Sequence, residues 1–168
     1  MERVYPLLSY DVQQRVRGGA LMIRYRRPKQ DDNVILGLIE TELIPLSHMP
    51  QSVLNQVTKE MPRRLGHGVT LVACTDYDSD PLGFIHYMLH GDLLYIDMLA
   101  IAPNAKRKRW GNMLMDRAER FALSRGCKRA KVAVDAGNAA GLAFYQKLDY
   151  NVARYLTQSY CYELEKWL

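Results

Sequence analysis

Asp97, the cation run Lys106-Arg107-Lys108-Arg109, Asn138 and Tyr145 are the residues whose types and spacing point to chemistry. Asp97 interrupts an apolar run, Leu94-Tyr95-Ile96-Asp97-Met98-Leu99-Ala100-Ile101. Read as a strand with alternating side chains, the run puts Asp97 on one face with Tyr95, Leu99 and Ile101. A carboxylate on an otherwise apolar face is a candidate base that takes a proton from an ammonium through water. It reads equally well as a structural Asp at a bulge or bonded to a neighbour. The four cations precede a helical pattern that opens at Trp110-Gly111, where the positive end of the macrodipole opposes them. They make sense if an anion, above all a phosphate, sits on that helix start. A solvated basic loop, or a nuclear-import or nucleic-acid patch, is the other reading. No aromatic residues interleave with the cations to stack on bases, so nucleic acid is not the expected partner.

The elements that must position these groups can be read from the pattern. The 168 residues suffice for one well-buried core. Hydrophobic residues at 48% and charged residues at 24% indicate a globular chain, with no apolar run long enough for a membrane span. The first residues lack the layout of a secretory signal, and three widely spaced cysteines read as reduced thiols, so a cytoplasmic protein is expected. The net charge of +5 suits a nucleic acid or a polyanionic cofactor alike. His86 and His90 lie about 13 Å apart along a strand, too far to share a metal, so no metal site is expected.

Residues 1–20 read as an appendage and 21–168 as a single domain. Leu21–Tyr25 is a short strand. Asp31 or Asp32 is placed to cap a helix over about Val34–Leu43, with Ile35, Leu38, Ile39 and Leu43 on one face. A second helix is expected over Ser52–Arg63. Val69–Cys74, Leu82–His90 and Leu93–Ile101 form an antiparallel meander. A crossover helix from Trp110 to the Gly126 stop leads to strand Ala130–Val134, implying a right-handed parallel unit with Leu93–Ile101. Asn138–Lys147 reads as a helix and Tyr160–Leu168 as a closing strand. The fold class is therefore α/β, a mixed sheet in which an antiparallel meander joins a parallel β-α-β unit.

On these residues the chain resembles the GNAT family of acyl-CoA N-acyltransferases, in element order over 21–168 and in motifs over 94–150. The family's pattern Val-x-Pro-x-x-Arg-Gly-x-Gly-x-Gly corresponds to Ile101-Ala102-Pro103-Asn104-Ala105-Lys106-Arg107-Lys108-Arg109-Trp110-Gly111, with Arg107 and Arg109 at two glycine positions. Its pattern Asn-x-x-Ala-x-x-x-Tyr-x-Lys-x-Gly-Phe corresponds to Asn138 through Tyr150, with Gly141 for the alanine and Asp149 for the glycine.

The resemblance implies an N-acetyltransferase that moves an acetyl group from acetyl-CoA, as cosubstrate, to a primary amine by direct attack in a ternary complex. It implies that acetyl-CoA lies between the strands Leu93–Ile101 and Ala130–Val134. Backbone groups of Leu99, Ala100 and Ile101 would hold the pantetheine, and one N–H there would polarise the thioester carbonyl. Lys106, Arg107, Lys108, Arg109, Trp110, Gly111 and Asn112 would surround the pyrophosphate, with Asn138 and Lys147 as further contacts. Tyr145 would be the general acid, since a phenol with an ordinary pKa of about 10 suits a thiolate leaving group. Its alternative is a core tyrosine, and Asn138 could equally cap its helix. Asp97, four residues before Ile101, falls where many members place a catalytic glutamate. The acceptor, a small-molecule or protein amine, would enter between residues 32–65 and the strand near His86 and His90. Glu40 and Glu42 there could draw a cationic amine or merely line a solvated face. No membrane contact is implied, and a homodimer is compatible. A non-catalytic acyl-CoA-binding sensor or assembly protein of the same fold is the alternative.

Overall fold

A computed structural model describes residues 22–168, so the expected appendage of residues 1–20 lies outside the described residues. The chain runs β1 (Met22–Tyr25), α1 (Pro28–Leu38), α2 (Gln51–Leu65), β2 (Val69–Cys74), β3 (Gly83–His90), β4 (Leu93–Ile101), α3 (Trp110–Ser124), β5 (Arg129–Asp135), α4 (Ala139–Lys147), β6 (Asn151–Leu156) and β7 (Cys161–Trp167). Seven strands form one sheet in the order β1-β2-β3-β4-β5-β7-β6. All neighbours are antiparallel except β4 and β5, which the crossover helix α3 joins in parallel. The expected mixed sheet is thus present.

Helices cover both faces of the central strands, which is why β2 reads as an almost continuous apolar run. Ile35, Leu38 and Ile39, with Met61 and Leu65 of α2, pack on Val72, Phe84, Met98 and Ala100. On the opposite face Trp110, Leu114, Ala118 and Tyr145 pack on Ile85, Leu94, Ile96 and Val134. Among the described residues, no helix is long and apolar enough to cross a membrane.

Three local expectations change. The first helix starts at Pro28, whose fixed φ suits a first helical position, and not from a cap at Asp31 or Asp32. Asp31 is instead buried inside the first turns, accepting the Arg27 N–H at 2.7 Å and two bonds from the Arg24 guanidinium at 2.7 and 3.0 Å. α1 then widens into a π-helical turn over Ile39–Leu43, so its apolar stripe continues past Leu38. The strand β6 was not anticipated, because as an edge strand it is exposed on nearly every residue and carries no apolar alternation.

The third change concerns Asp97. β3 and β4 pair Tyr87 with Ile96 but His86 with Met98, leaving Asp97 as the extra residue of a β-bulge. Before the bulge Leu94 and Ile96 face α3; after it Met98 and Ala100 face α1 and α2 while Leu99 and Ile101 turn to the α3 side. Asp97 therefore does not share a face with Leu99 and Ile101, as simple alternation implied. It points with Met98 toward α2.

Candidate active site

The parallel ladder between β4 and β5 ends at Ile96 and Val132, although both strands continue, β4 to Ile101 and β5 to Asp135. Beyond that point β5 pairs only with β7, so a gap opens between the two strands. The Ala102 N–H donates to Leu82 O at 2.8 Å, and every second residue of an antiparallel ladder repeats that orientation. Ala100 thus turns its backbone groups to β3, whereas Leu99 and Ile101 turn theirs into the gap. Of the three backbone positions expected to line a ligand, Leu99 and Ile101 face the gap and Ala100 faces β3.

At the end of β4 the chain passes through a short turn, Pro103–Ala105, into the basic loop and α3. The first helical bond of α3 runs from Met113 N–H to Arg109 O at 3.1 Å. The N–H groups of Trp110, Gly111 and Asn112 precede it and have no intrahelical acceptor. Arg107 and Arg109 both have φ of +63°, the left-handed conformation that the family's glycines adopt easily. Asp149, at the glycine position of the second motif, likewise has φ of +67°. The loop holds this shape without glycines at these positions, at about 1 kcal/mol or more per residue. Alternating left-handed residues in such a loop turn successive N–H groups inward as an anion nest.

The side chains divide differently. Lys106 is ion-paired to Glu42 at 2.9 Å, which ties the loop to the π-helical turn after α1. Arg107, Lys108, Arg109 and Asn112 are exposed. The Trp110 indole is core, 3% exposed, so only its backbone is available to a ligand. Gly111 is small because the Phe144 ring lies over it: a Cβ there would sit 3.2 Å from two ring carbons.

Asn138 follows the end of β5 and caps α4, its Oδ1 accepting the Gly141 N–H at 2.9 Å. Tyr145 lies seven residues on, two helical turns along the same face. It is buried between Phe144 and Tyr150, with ring centroids 5.0 and 5.7 Å away, and forms no side-chain hydrogen bond among the described residues. Burial pushes its phenol well above the usual tyrosine range, so it holds its proton at neutral pH. Lys147 is exposed in the last turn of α4, about 13 Å along the axis from Asn138.

The Asp97 side chain is 1% exposed, and both its oxygens accept from the Arg64 guanidinium of α2, one through Nε at 2.8 Å. Behind it His86 is fully buried, its Nδ1 bonded to the Thr70 hydroxyl at 2.8 Å and its Nε2 3.9 Å from Asp97 Oδ2. Burial pushes the His86 imidazole below the usual histidine range, outweighing the opposite pull of Asp97. The folded protein keeps this ring neutral, while an unfolded chain takes up a proton below about pH 6.5. The fold's stability is therefore complete above that pH and declines as pH falls below it. Thermal melts between pH 8 and pH 5 should show the decline, and a His86→Gln protein should show a shallower slope. An unchanged slope in that variant would contradict the assignment.

Two further polar pairs had no sequence signal: His48 with Asp135, and Glu42 with Lys106, separated by 87 and 64 positions in the chain. Both join the segment between α1 and α2 to the lips of the gap.

The model of the acetyltransferase (GNAT) family matches residues 31–150, and the chain belongs to that family. An acetyltransferase of Yersinia pestis is 25% identical over 96 residues, covering 57% of this chain and 68% of that protein. Among solved structures, the PaiA N-acetyltransferase of Thermoplasma acidophilum in complex with coenzyme A superimposes with a TM-score of 0.74 at 18% identity, covering 89% of this chain and 99% of that one. Ard1 of Thermoplasma volcanium gives 0.67 at 18% identity, covering 88% and 97%.

Proposed function

We propose that the protein transfers an acetyl group from acetyl-CoA to a primary amine by direct attack within a ternary complex. The observation that carries this reading is the end of the β4–β5 ladder at Ile96 and Val132, in a chain whose β4 leads through a short turn to an α3 start with N–H groups that lack intrahelical acceptors. A pantetheine arm of extended shape fits such a gap as an added strand, bonded to the backbone of Leu99 and Ile101. The pyrophosphate would then rest on the nest formed by residues 107–112, with Arg107, Lys108 and Arg109 adding charge-assisted bonds. Coenzyme A in the Thermoplasma acidophilum neighbour supports this choice of ligand.

In this reading the Leu99 or Ile101 N–H polarises the thioester carbonyl, the amine nitrogen attacks its carbon, and the C–S bond breaks as Tyr145 protonates the departing thiolate. Asn138 orients the start of α4, and Lys147 contributes at most a distant charge. Asp97 has both oxygens engaged by Arg64 and faces away from Leu99 and Ile101, so it is not the base that alternation alone implies. We assign it to fixing the bulge that parts the strands. The acceptor approaches from the side of α1 and α2, as a small-molecule or protein amine. Three free cysteines fit a cytoplasmic protein.

Thiol release from acetyl-CoA, measured with an alkylamine, a lysine ester and a tripeptide with a free α-amino group, tests the proposal. Turnover whose double-reciprocal lines intersect is expected for a ternary complex; parallel lines would indicate an acetyl-enzyme instead. Tight coenzyme A binding without turnover on any amine would favour a non-catalytic acyl-CoA sensor.

The basic loop offers a test with two opposed readouts. Arg109→Gly removes a left-handed non-glycine residue and should raise stability by about 1 kcal/mol, some 2–4 °C in melting temperature. It also removes a charge-assisted bond to phosphate, so coenzyme A affinity should fall about tenfold or more. Calorimetry and a thermal melt on the same protein read both.

A further inference from the structure

The proposed transfer needs an acceptor for the amine's proton, and Asp97 is not placed to be one. The opposite lip of the gap carries a group that is. Asp135 is the last residue of β5, three positions beyond Val132, just as Leu99 is three beyond its partner Ile96 on β4. Asp135 therefore stands about 10 Å along β5 from the last ladder pair, across the gap from the part of β4 that follows the bulge. Ala130, Val132 and Val134 bury their side chains toward α3, so alternation turns Asp135 to the other face, toward the segment between α1 and α2.

There it meets His48. The His48 N–H donates to Asp135 Oδ2 at 3.0 Å, the His48 Nδ1 pairs closely with Asp135 Oδ1, and the Gly137 N–H donates to the same Oδ1 at 2.9 Å. Three donors fix a carboxylate that is only 11% exposed, whereas the His48 side chain is 58% exposed. Gly137 is small because the imidazole lies against it, where a Cβ would collide with Cε1. A carboxylate on Nδ1 favours the tautomer that carries its proton there, which leaves Nε2 as the ring nitrogen able to accept one. From β7 the ionisable neighbour of this pair is Cys161, opposite Asp135, whose thiol burial pushes up and so keeps neutral.

We propose that His48, oriented by Asp135, takes the proton released by the attacking amine; the inference rests on the acetyl-transfer reading above. The neutral amine forms the N–C bond, its proton passes to His48 Nε2, the C–S electron pair leaves with sulfur, and the thiolate takes the Tyr145 proton. Exchange with solvent then returns His48 and Tyr145 to their starting states. The polarising N–H lies on β4, and the base is held to the opposite lip by Asp135 of β5. Asp135 is a positioning residue that sets the tautomer.

The test begins with the full chain carrying ¹⁵N-labelled histidine. NMR should show His48 protonated on Nδ1 and bare on Nε2 at pH 8, with the Nε2 signal shifting when acetyl-CoA is added. A proton on Nε2, or no response to bound acetyl-CoA, overturns the proposal. In thiol-release assays with the best of the amines named above, His48→Gln should lower kcat/KM by about 10²–10⁴-fold and remove the acid limb of the pH profile. Coenzyme A affinity should stay within about twofold. Free imidazole should restore part of the activity of His48→Ala, and Asp135→Asn should lose rate through the wrong tautomer. A His48→Gln enzyme with wild-type rate and pH profile overturns the dyad while leaving acetyl transfer intact. A wild-type protein that binds no acetyl-CoA overturns both.

Discussion

Tyr145→Phe should lower kcat by about 10²–10⁴-fold while leaving coenzyme A affinity and thermal stability nearly unchanged. The substitution removes one oxygen and keeps the ring. The edge-on contacts with Phe144 and Tyr150 that hold the residue do not involve the hydroxyl. No hydrogen bond is lost, since the hydroxyl makes none among the described residues, so a purely structural tyrosine would tolerate the change well. Desolvation keeps the phenol protonated far into the alkaline range, so the proton is present throughout, but it removes the match to a thiolate that an ordinary phenol offers. The rate loss should consequently persist across pH 6–9 without adding a new limb to the profile. Thiol-release kinetics measure it, and full activity in the variant would remove Tyr145 from the mechanism.

Asp31→Ala should be the most destabilising single change discussed, at roughly 3–5 kcal/mol. Arg24 and Asp31 are both almost fully buried, and removing the carboxylate strands a guanidinium in the core. The remaining partners of Arg24 are carbonyls of Tyr25, Tyr77 and Ser79, which cannot balance its charge. For a chain of this size, 3–5 kcal/mol lowers the melting temperature by roughly 6–20 °C. Burial by itself would push the Asp31 carboxyl up, but the Arg24 guanidinium and the Arg27 N–H together hold it below the usual carboxylate range. Its contribution is therefore present at pH above about 4 and is lost as the solution is acidified through the lower, folded value. Acid titration of wild type and variant should converge in that window. Equal stability at pH 7 would contradict the account.

The central meander, the crossover helix and the start of α4 were legible because each follows a local rule. β2 is an apolar run, α3 repeats apolar residues at helical spacing, and Asn138 bears a cap. The loop motifs were legible as well, even where Arg107, Arg109 and Asp149 stand for glycine, because the positive φ survives the substitution. The bulge at Asp97 was not legible. It depends on a mismatch of register with β3, and a one-residue slip reverses every side chain beyond it. The consequence is specific: alternation alone made Asp97 look like a base beside Leu99, whereas the bulge delivers it to Arg64. His48 and Asp135 were invisible for a different reason. They lie 87 positions apart, and no local spacing links the two. β6 escaped because a solvent-exposed edge strand has no buried face to imprint a period.

The central claim is that acetyl-CoA occupies the gap between β4 and β5, with its pyrophosphate on the start of α3. A crystal structure of the full chain with acetyl-CoA tests this most directly. The pyrophosphate oxygens should lie within hydrogen-bonding distance of backbone N–H groups in residues 107–112, and the pantetheine should run along Leu99 and Ile101 with the thioester between the two strands. A ligand bound elsewhere, or a gap closed by continued pairing of β4 with β5 past Ile96 and Val132, would contradict it.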